Sequence, residues 1–214
     1  MLHSLTSKQI RLFTICLLLA ITFASGLFVV THKSFVSVTL QTLEAHITWP
    51  AENEYPEVAS ANLSPVQKKI ITITKNEYQK RPVSFDKSVL AYTQGNKEPW
   101  CADYATWVLK QAGAPLANPN SGSWRIPGVL TLQNYYKSSG KYQMAGRYQP
   151  KTGDLAFYIG NKTLDGRSKQ HVNIVLNVEG NTMTTIGGNE LGRMRINTQN
   201  YKKGANNLVG FGIL

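Results

Sequence analysis

At 214 residues with a formal net charge of +11, the chain has room for one domain and an appendage. Two cysteines are too few for a disulfide framework, the single cysteine and single histidine beyond residue 62 are too few for a structural zinc site, and no nucleic-acid-binding motif is visible. Residues 1–11 are short and carry Lys8 and Arg11, and residues 12–30 (LFTICLLLAITFASGLFVV) hold no charge over 19 positions. Roughly 20 apolar residues span a bilayer, so 12–30 is expected to be a transmembrane helix. The positive charges before it put the N-terminus in the cytoplasm and the remainder outside the cell membrane. The competing reading is a cleaved signal peptide with small residues at Ala24 and Ser25, which would leave a secreted protein. The apolar run continues past that point through Leu27–Val30, which favours an uncleaved anchor.

Residues 31–62 have weak periodicity and two prolines, with Lys33 set against Glu44, Glu52, Glu54 and Glu57, and read as an acidic extracytoplasmic tether. From residue 63 to 214 the balance reverses, with 20 Lys and Arg against 8 Asp and Glu. A basic exported domain suits an anionic partner such as a cell-wall polymer or a membrane surface. This stretch opens with Ser64-Pro65-Val66-Gln67, a capping box with proline at the first helical position, and apolar spacing predicts a helix to about Lys80. A loop holding Tyr92, Gly95 and Asn96 follows, and then a second helix from Pro99 to Gly113, where glycine suits a left-handed end. After the turn-rich Pro115–Ser123, a short helix is expected from about Pro127 to Tyr136.

Beyond Pro150 the chain turns to short β-forming runs at Leu155–Ile159, Val172–Val178, Thr182–Ile186, about Met194–Asn197, and Val209–Leu214. Glu179-Gly180-Asn181 reads as a hairpin turn between two of them. Helices first and strands second is an α+β pattern.

Cys101 lies in the first turn of its helix, beside unpaired N–H groups and the positive end of the helix dipole. With Cys16 in the expected membrane segment, Cys101 has no disulfide partner, and an unpaired exported thiol is a candidate nucleophile. Such a nucleophile needs a base and a group to orient the base. His3 precedes the anchor, and His32 and His46 fall in the tether, which leaves His171 at the start of a strand. The strand joined to it by the hairpin ends in Gly187-Gly188-Asn189-Glu190, roughly opposite His171. Asn189 is the first choice as orienting group and Glu190, one residue on, the second; as a bare motif, Gly-Gly-Asn reads as a turn.

Four blocks in order, Pro99-Trp100-Cys101-Ala102-Asp103-Tyr104, Pro150–Phe157, His171–Val175 and Ile186–Asn189, resemble the CHAP family of papain-like and NlpC-type cell-wall amidohydrolases. The resemblance covers about 63–214. It implies a papain-like α+β fold with the cysteine helix packed on a small antiparallel sheet, Cys101 as nucleophile, His171 as base and Asn189 as third member. It also implies hydrolysis of a peptidoglycan amide bond, as an endopeptidase or an N-acetylmuramoyl-L-alanine amidase. Many members place a glutamate two residues before that asparagine, where this chain has Gly187.

No metal or other cofactor is required by such chemistry, and nucleic acid is not an expected partner. The Cys101 backbone N–H is placed to help hold an oxyanion, with Tyr92, Gln94 and Asn96 as candidates for the second donor. Trp100, Trp124, Tyr135 and Tyr136 are candidates to line a substrate groove, so Trp100, Asn96 and Trp124 are the expected substrate contacts. Two rivals share the sequence features: a non-catalytic wall-binding or scaffolding module, and a cysteine acyl or peptidyl transferase.

Overall fold

The computed structural model describes residues 54–162, 168–202 and 207–214. The expected anchor at 12–30 and most of the tether therefore lie outside the described residues, and none of the described helices is long and apolar enough to cross a membrane. The order of elements is α1 (Pro65–Gln79), α2 (Lys87–Tyr92), α3 (Cys101–Ala112), α4 (Val129–Ser138), and then β1 (Tyr142–Met144), β2 (Leu155–Lys162), β3 (Ser168–Glu179), β4 (Thr182–Glu190), β5 (Arg193–Asn200) and β6 (Leu208–Gly212). The strands form one antiparallel sheet in the order β1-β6-β2-β3-β4-β5. The α+β reading holds, with helices packed on a six-stranded antiparallel sheet.

The local signals explain most boundaries. Ser64 and Gln67 close the capping box reciprocally at the start of α1, at 3.3 Å and 2.8 Å. Helix α3 ends at Gly113, whose φ of +88° is the left-handed conformation glycine adopts without strain. Its start differs from expectation. Trp100 is the N-cap and Pro99 lies before it, so Cys101 itself is the first helical residue. Two elements were not visible as periodic runs. Helix α2 has six residues and no side-chain cap, because the Asp86 carboxylate accepts from the Val83 N–H at 3.0 Å instead. Strand β1 is a three-residue edge strand whose place is set by pairing with β6.

Alternation along the strands divides the sheet into two faces. Leu155, Phe157, Val172, Ile174, Leu176 and Ile186 join the main core with α1, α3 and α4. Ala156, Val175, Met183 and Phe211 face the other way in a smaller cluster. The start of α3 is bonded to this frame by aromatic packing. Trp100 is fully buried, stacks near Tyr92 and Tyr104 at 5.9 Å and 6.3 Å, and donates its indole N–H to Ser84 Oγ at 3.1 Å. Ser84 in turn bonds the Gly192 carbonyl at the β4–β5 turn through its backbone N–H at 2.7 Å. Gly188 on β4 provides the seat: a Cβ there would lie 2.4 Å from the Trp100 ring and 3.2 Å from Tyr104 Cβ. Gly188→Ala is therefore expected to cost about 1–3 kcal/mol through overpacking, read as a lowered urea midpoint at unchanged m.

Candidate active site

The site is built from the first residue of α3 and the ends of β3 and β4. Cys101 is 6 % exposed, and as the first helical residue it keeps a backbone N–H that no carbonyl of its own helix can accept. His171 pairs with Tyr158 on β2 and opens the central part of β3. Strands β3 and β4 pair from the hairpin as far as Asn173↔Gly187, with no described pair beyond it. The His171 end of β3 thus lies beyond the described β3–β4 pairs, close enough to Cys101 for the thiol to be among the groups that raise the ring's pKa.

The carboxylate beside the ring is that of Glu190. Its Oε1 lies 3.3 Å from His171 Nε2. The same oxygen accepts from Asn173 Nδ2 at 3.1 Å, and Asn197 Nδ2 reaches both carboxylate oxygens at 2.9 Å. Asn189, the first choice from sequence, has no described hydrogen bond to His171; it sits with φ of +61° in an irregularity of β4. Pairing runs from Gly187↔Arg195 to Glu190↔Arg193, three residues on β4 against two on β5. One extra residue reverses the inside–outside phase of a strand, so this bulge turns Glu190 toward the face that regular alternation gives to Asn189.

Gly187 completes the exchange. It stands where the family pattern carries a glutamate, but a Cβ there would meet Asn173 Oδ1 at 1.9 Å and Glu190 Oε1 at 2.6 Å. The carboxylate of Glu190 occupies the space that a side chain at 187 would need. Gly187 and Gly188 are thus strand residues whose missing side chains make room for Glu190 on one face and Trp100 on the other; they are not a turn.

The electrostatics follow this geometry. Burial favours a neutral His171 ring, but the hydrogen bonds and charges of Cys101 and Glu190 outweigh it and push the pKa from 6.5 up to about 10. Burial would likewise raise Glu190, yet His171, Asn197 and Asn173 hold its carboxyl below the ordinary value. A raised histidine pKa contributes stability that is complete below pH 6.5 and lost as pH climbs through about 10. The melting temperature is expected to fall over that window, and less steeply in His171→Ala; parallel pH dependences would refute the pairing. A cavity of about 350 Å³ opens on this network, lined by Tyr158, His171, Asn173, Glu190, Asn197 and Gln199 among others.

The expected substrate contacts divide. Trp100 is a core residue rather than a groove residue, since its ring is spent on Gly188 and Tyr104. Tyr136 is likewise buried, and Tyr135 packs edge-on against it at 5.6 Å. Trp124 is half-buried, with the Lys110 ammonium 4.6 Å from its ring centre. Its neighbour Arg125 pairs with Glu98 and with buried Asp103, at 2.6 Å to the latter, tying this loop to the first turn of α3. Burial drives the Asp103 pKa up to about 6 despite Arg125. Asn96 is exposed but binds its own loop, donating to the Thr93 carbonyl at 2.8 Å. Tyr92 is buried and donates to Glu77 at 2.6 Å, which removes it as an oxyanion donor.

In comparison with known families, the model of the CHAP domain matches residues 93–189, which include Cys101, His171 and Asn189 and stop one residue short of Glu190. No curated protein and no solved structure matches.

Proposed function

With residues 93–189 a CHAP domain, a type that is typically a cell-wall amidase or peptidase, we propose that this chain hydrolyses a peptidoglycan amide bond with Cys101 as nucleophile, His171 as acid and base, and Glu190 as the group that orients and charges the imidazole. One observation carries the reading: the His171 ring lies 3.3 Å from the Glu190 carboxylate and within electrostatic reach of the Cys101 thiol. Glu190 takes Nε2, which leaves Nδ1 for the sulfur. The Glu190 carboxylate on one side favours the imidazolium form of the ring.

In the first half-reaction the Cys101 sulfur attacks the amide carbonyl carbon, and the Cys101 N–H at the helix start helps hold the oxyanion. The C–N bond breaks as His171 passes its proton to the leaving amine, giving a thioester. Water then attacks that carbon and gives a proton to His171, and the sulfur leaves. Asn189 takes no part in this scheme beyond shaping the bulge that delivers Glu190.

Residues 12–30 would tether the enzyme in the membrane with the domain outside, a placement supported by their 19 uncharged positions behind Lys8 and Arg11. The basic balance of 63–214 suits an anionic wall. The experiment is digestion of purified peptidoglycan with analysis of the new ends. Paired new amine and carboxyl groups are expected; new reducing sugar ends without them would overturn the reading.

A further inference from the structure

We propose that Asn197, on the neighbouring strand β5, is a positioning residue that, with Asn173, clamps the Glu190 carboxylate in its ionised form and so keeps His171 aligned and charged. The inference rests on the assignment of Cys101, His171 and Glu190 above and adds two residues from outside the ordered sequence blocks or without a role in them. Asn197 Nδ2 lies 2.9 Å from both Glu190 oxygens, while Asn173 Nδ2 lies 3.1 Å from Oε1 and 3.2 Å from Thr185 Oγ1.

The need for the clamp comes from where Glu190 sits. It is the last residue of β4, before a two-residue turn, Leu191-Gly192, in which both φ angles are positive. Its side chain reaches back over Gly187 rather than standing over its own backbone position. A side chain so bent has rotamer freedom to lose, and fixed donors on two flanking strands select the one arrangement that meets the imidazole. The carboxylate is also largely out of water, with 18 % of its side chain exposed. A carboxylate in that setting takes up a proton unless hydrogen bonds favour the charged form. Once it is protonated, the imidazolium loses its counter-charge, and the imidazole becomes a weaker base toward the thiol.

Asn197 can do this because β5 continues in regular register past the bulge. Ile186↔Ile196 and Thr185↔Asn197 are paired, so Asn197 shares a face with Thr185 and, across β4, with Asn173. Ile196 between them packs on the helix side. Two amides on strands either side of β4 thus converge on a carboxylate that β4 itself supplies from its bulged end.

The test uses the full chain with Asn197→Ala and Asn197→Asp. Loss of the clamp is expected to lower kcat about tenfold in Asn197→Ala at unchanged KM, and to move the alkaline limb of kcat down by about one pH unit. Asn197→Asp, which sets a second carboxyl against Glu190, is expected to lose more. The imidazole pKa of His171, followed by NMR titration, should fall in Asn197→Ala, and this readout does not depend on turnover. A tenfold loss of kcat with an unmoved limb and an unmoved His171 titration would show a merely structural role and overturn the clamp. Wild-type kinetics and titration in both variants would do the same. If wild type itself turns over no peptidoglycan, the functional reading fails, while the NMR titration still decides whether Asn197 charges the pair.

Discussion

Cys101→Ala is expected to abolish release of amide-cleavage products from purified peptidoglycan, a loss of about 10⁴-fold or more, with the domain still folding cooperatively. The size follows from the covalent route. Without the sulfur no thioester forms, and what remains is binding and any oxyanion stabilisation at the start of α3. The retained fold follows from the small volume of the group and its position. Cys101 heads the helix, while the contacts that seat α3 on the sheet come from Trp100, Tyr104 and Gly188. Cys101→Ser would keep the volume and put a far weaker acid beside His171, so it too is expected to be inert. Product release that survives Cys101→Ala would remove the nucleophile from the mechanism, whatever the fold.

The second large effect separates two neighbouring residues. Glu190→Ala is expected to lower kcat about 10²-fold, because His171 loses both its orientation and its counter-charge. Its alkaline limb, expected near pH 10 in wild type, should drop back toward the ordinary histidine range, since the charge of Glu190 is one of the influences holding it up. Asn189→Gly should change kcat by no more than about threefold. Glycine is the informative choice at Asn189, because φ there is +61° and alanine would add backbone strain unrelated to the imidazole. The opposite ranking, a large loss in Asn189→Gly and a small one in Glu190→Ala, would return the third role to the asparagine.

This pair also shows where the sequence was legible and where it was not. Cys101 and His171 could be singled out by elimination, because a helix start and a strand start are local features and each candidate was nearly alone of its kind. The sheet was legible too, since β2 to β6 are β-rich runs broken by turn residues. The contact of Glu190 with His171 was not, because strand alternation is a rule of period two, and one bulge residue inverts it. A count centred on Gly180 puts Asn189 opposite His171; the sheet instead shifts register once on β3 between Val175 and Asn177 and again on β4 between Gly187 and Glu190, and it is the Glu190 side chain that meets the ring. The signal available was Gly187 itself. A family position for glutamate filled by glycine, with a glutamate three residues on, was readable as a displaced carboxylate rather than a lost one.

Trp100 misled for a different reason. An aromatic beside a nucleophile suggests a substrate surface, but whether it faces out depends on what lies beneath. Here that is Gly188, a residue distant in sequence whose lack of a side chain becomes meaningful only once β4 is laid under α3. Asn197 was out of reach for the same kind of reason, since its partner is brought to it by the bulge on another strand.

A cysteine thioester, formed and then hydrolysed, can be trapped by mixing the full chain with solubilised peptidoglycan fragments, quenching in acid and measuring the intact mass. The account predicts an adduct equal in mass to the acyl half of the substrate, carried by the peptide containing Cys101, released by hydroxylamine and absent from Cys101→Ala. Turnover with Cys101 unmodified, and undiminished after thiol alkylation, would contradict it.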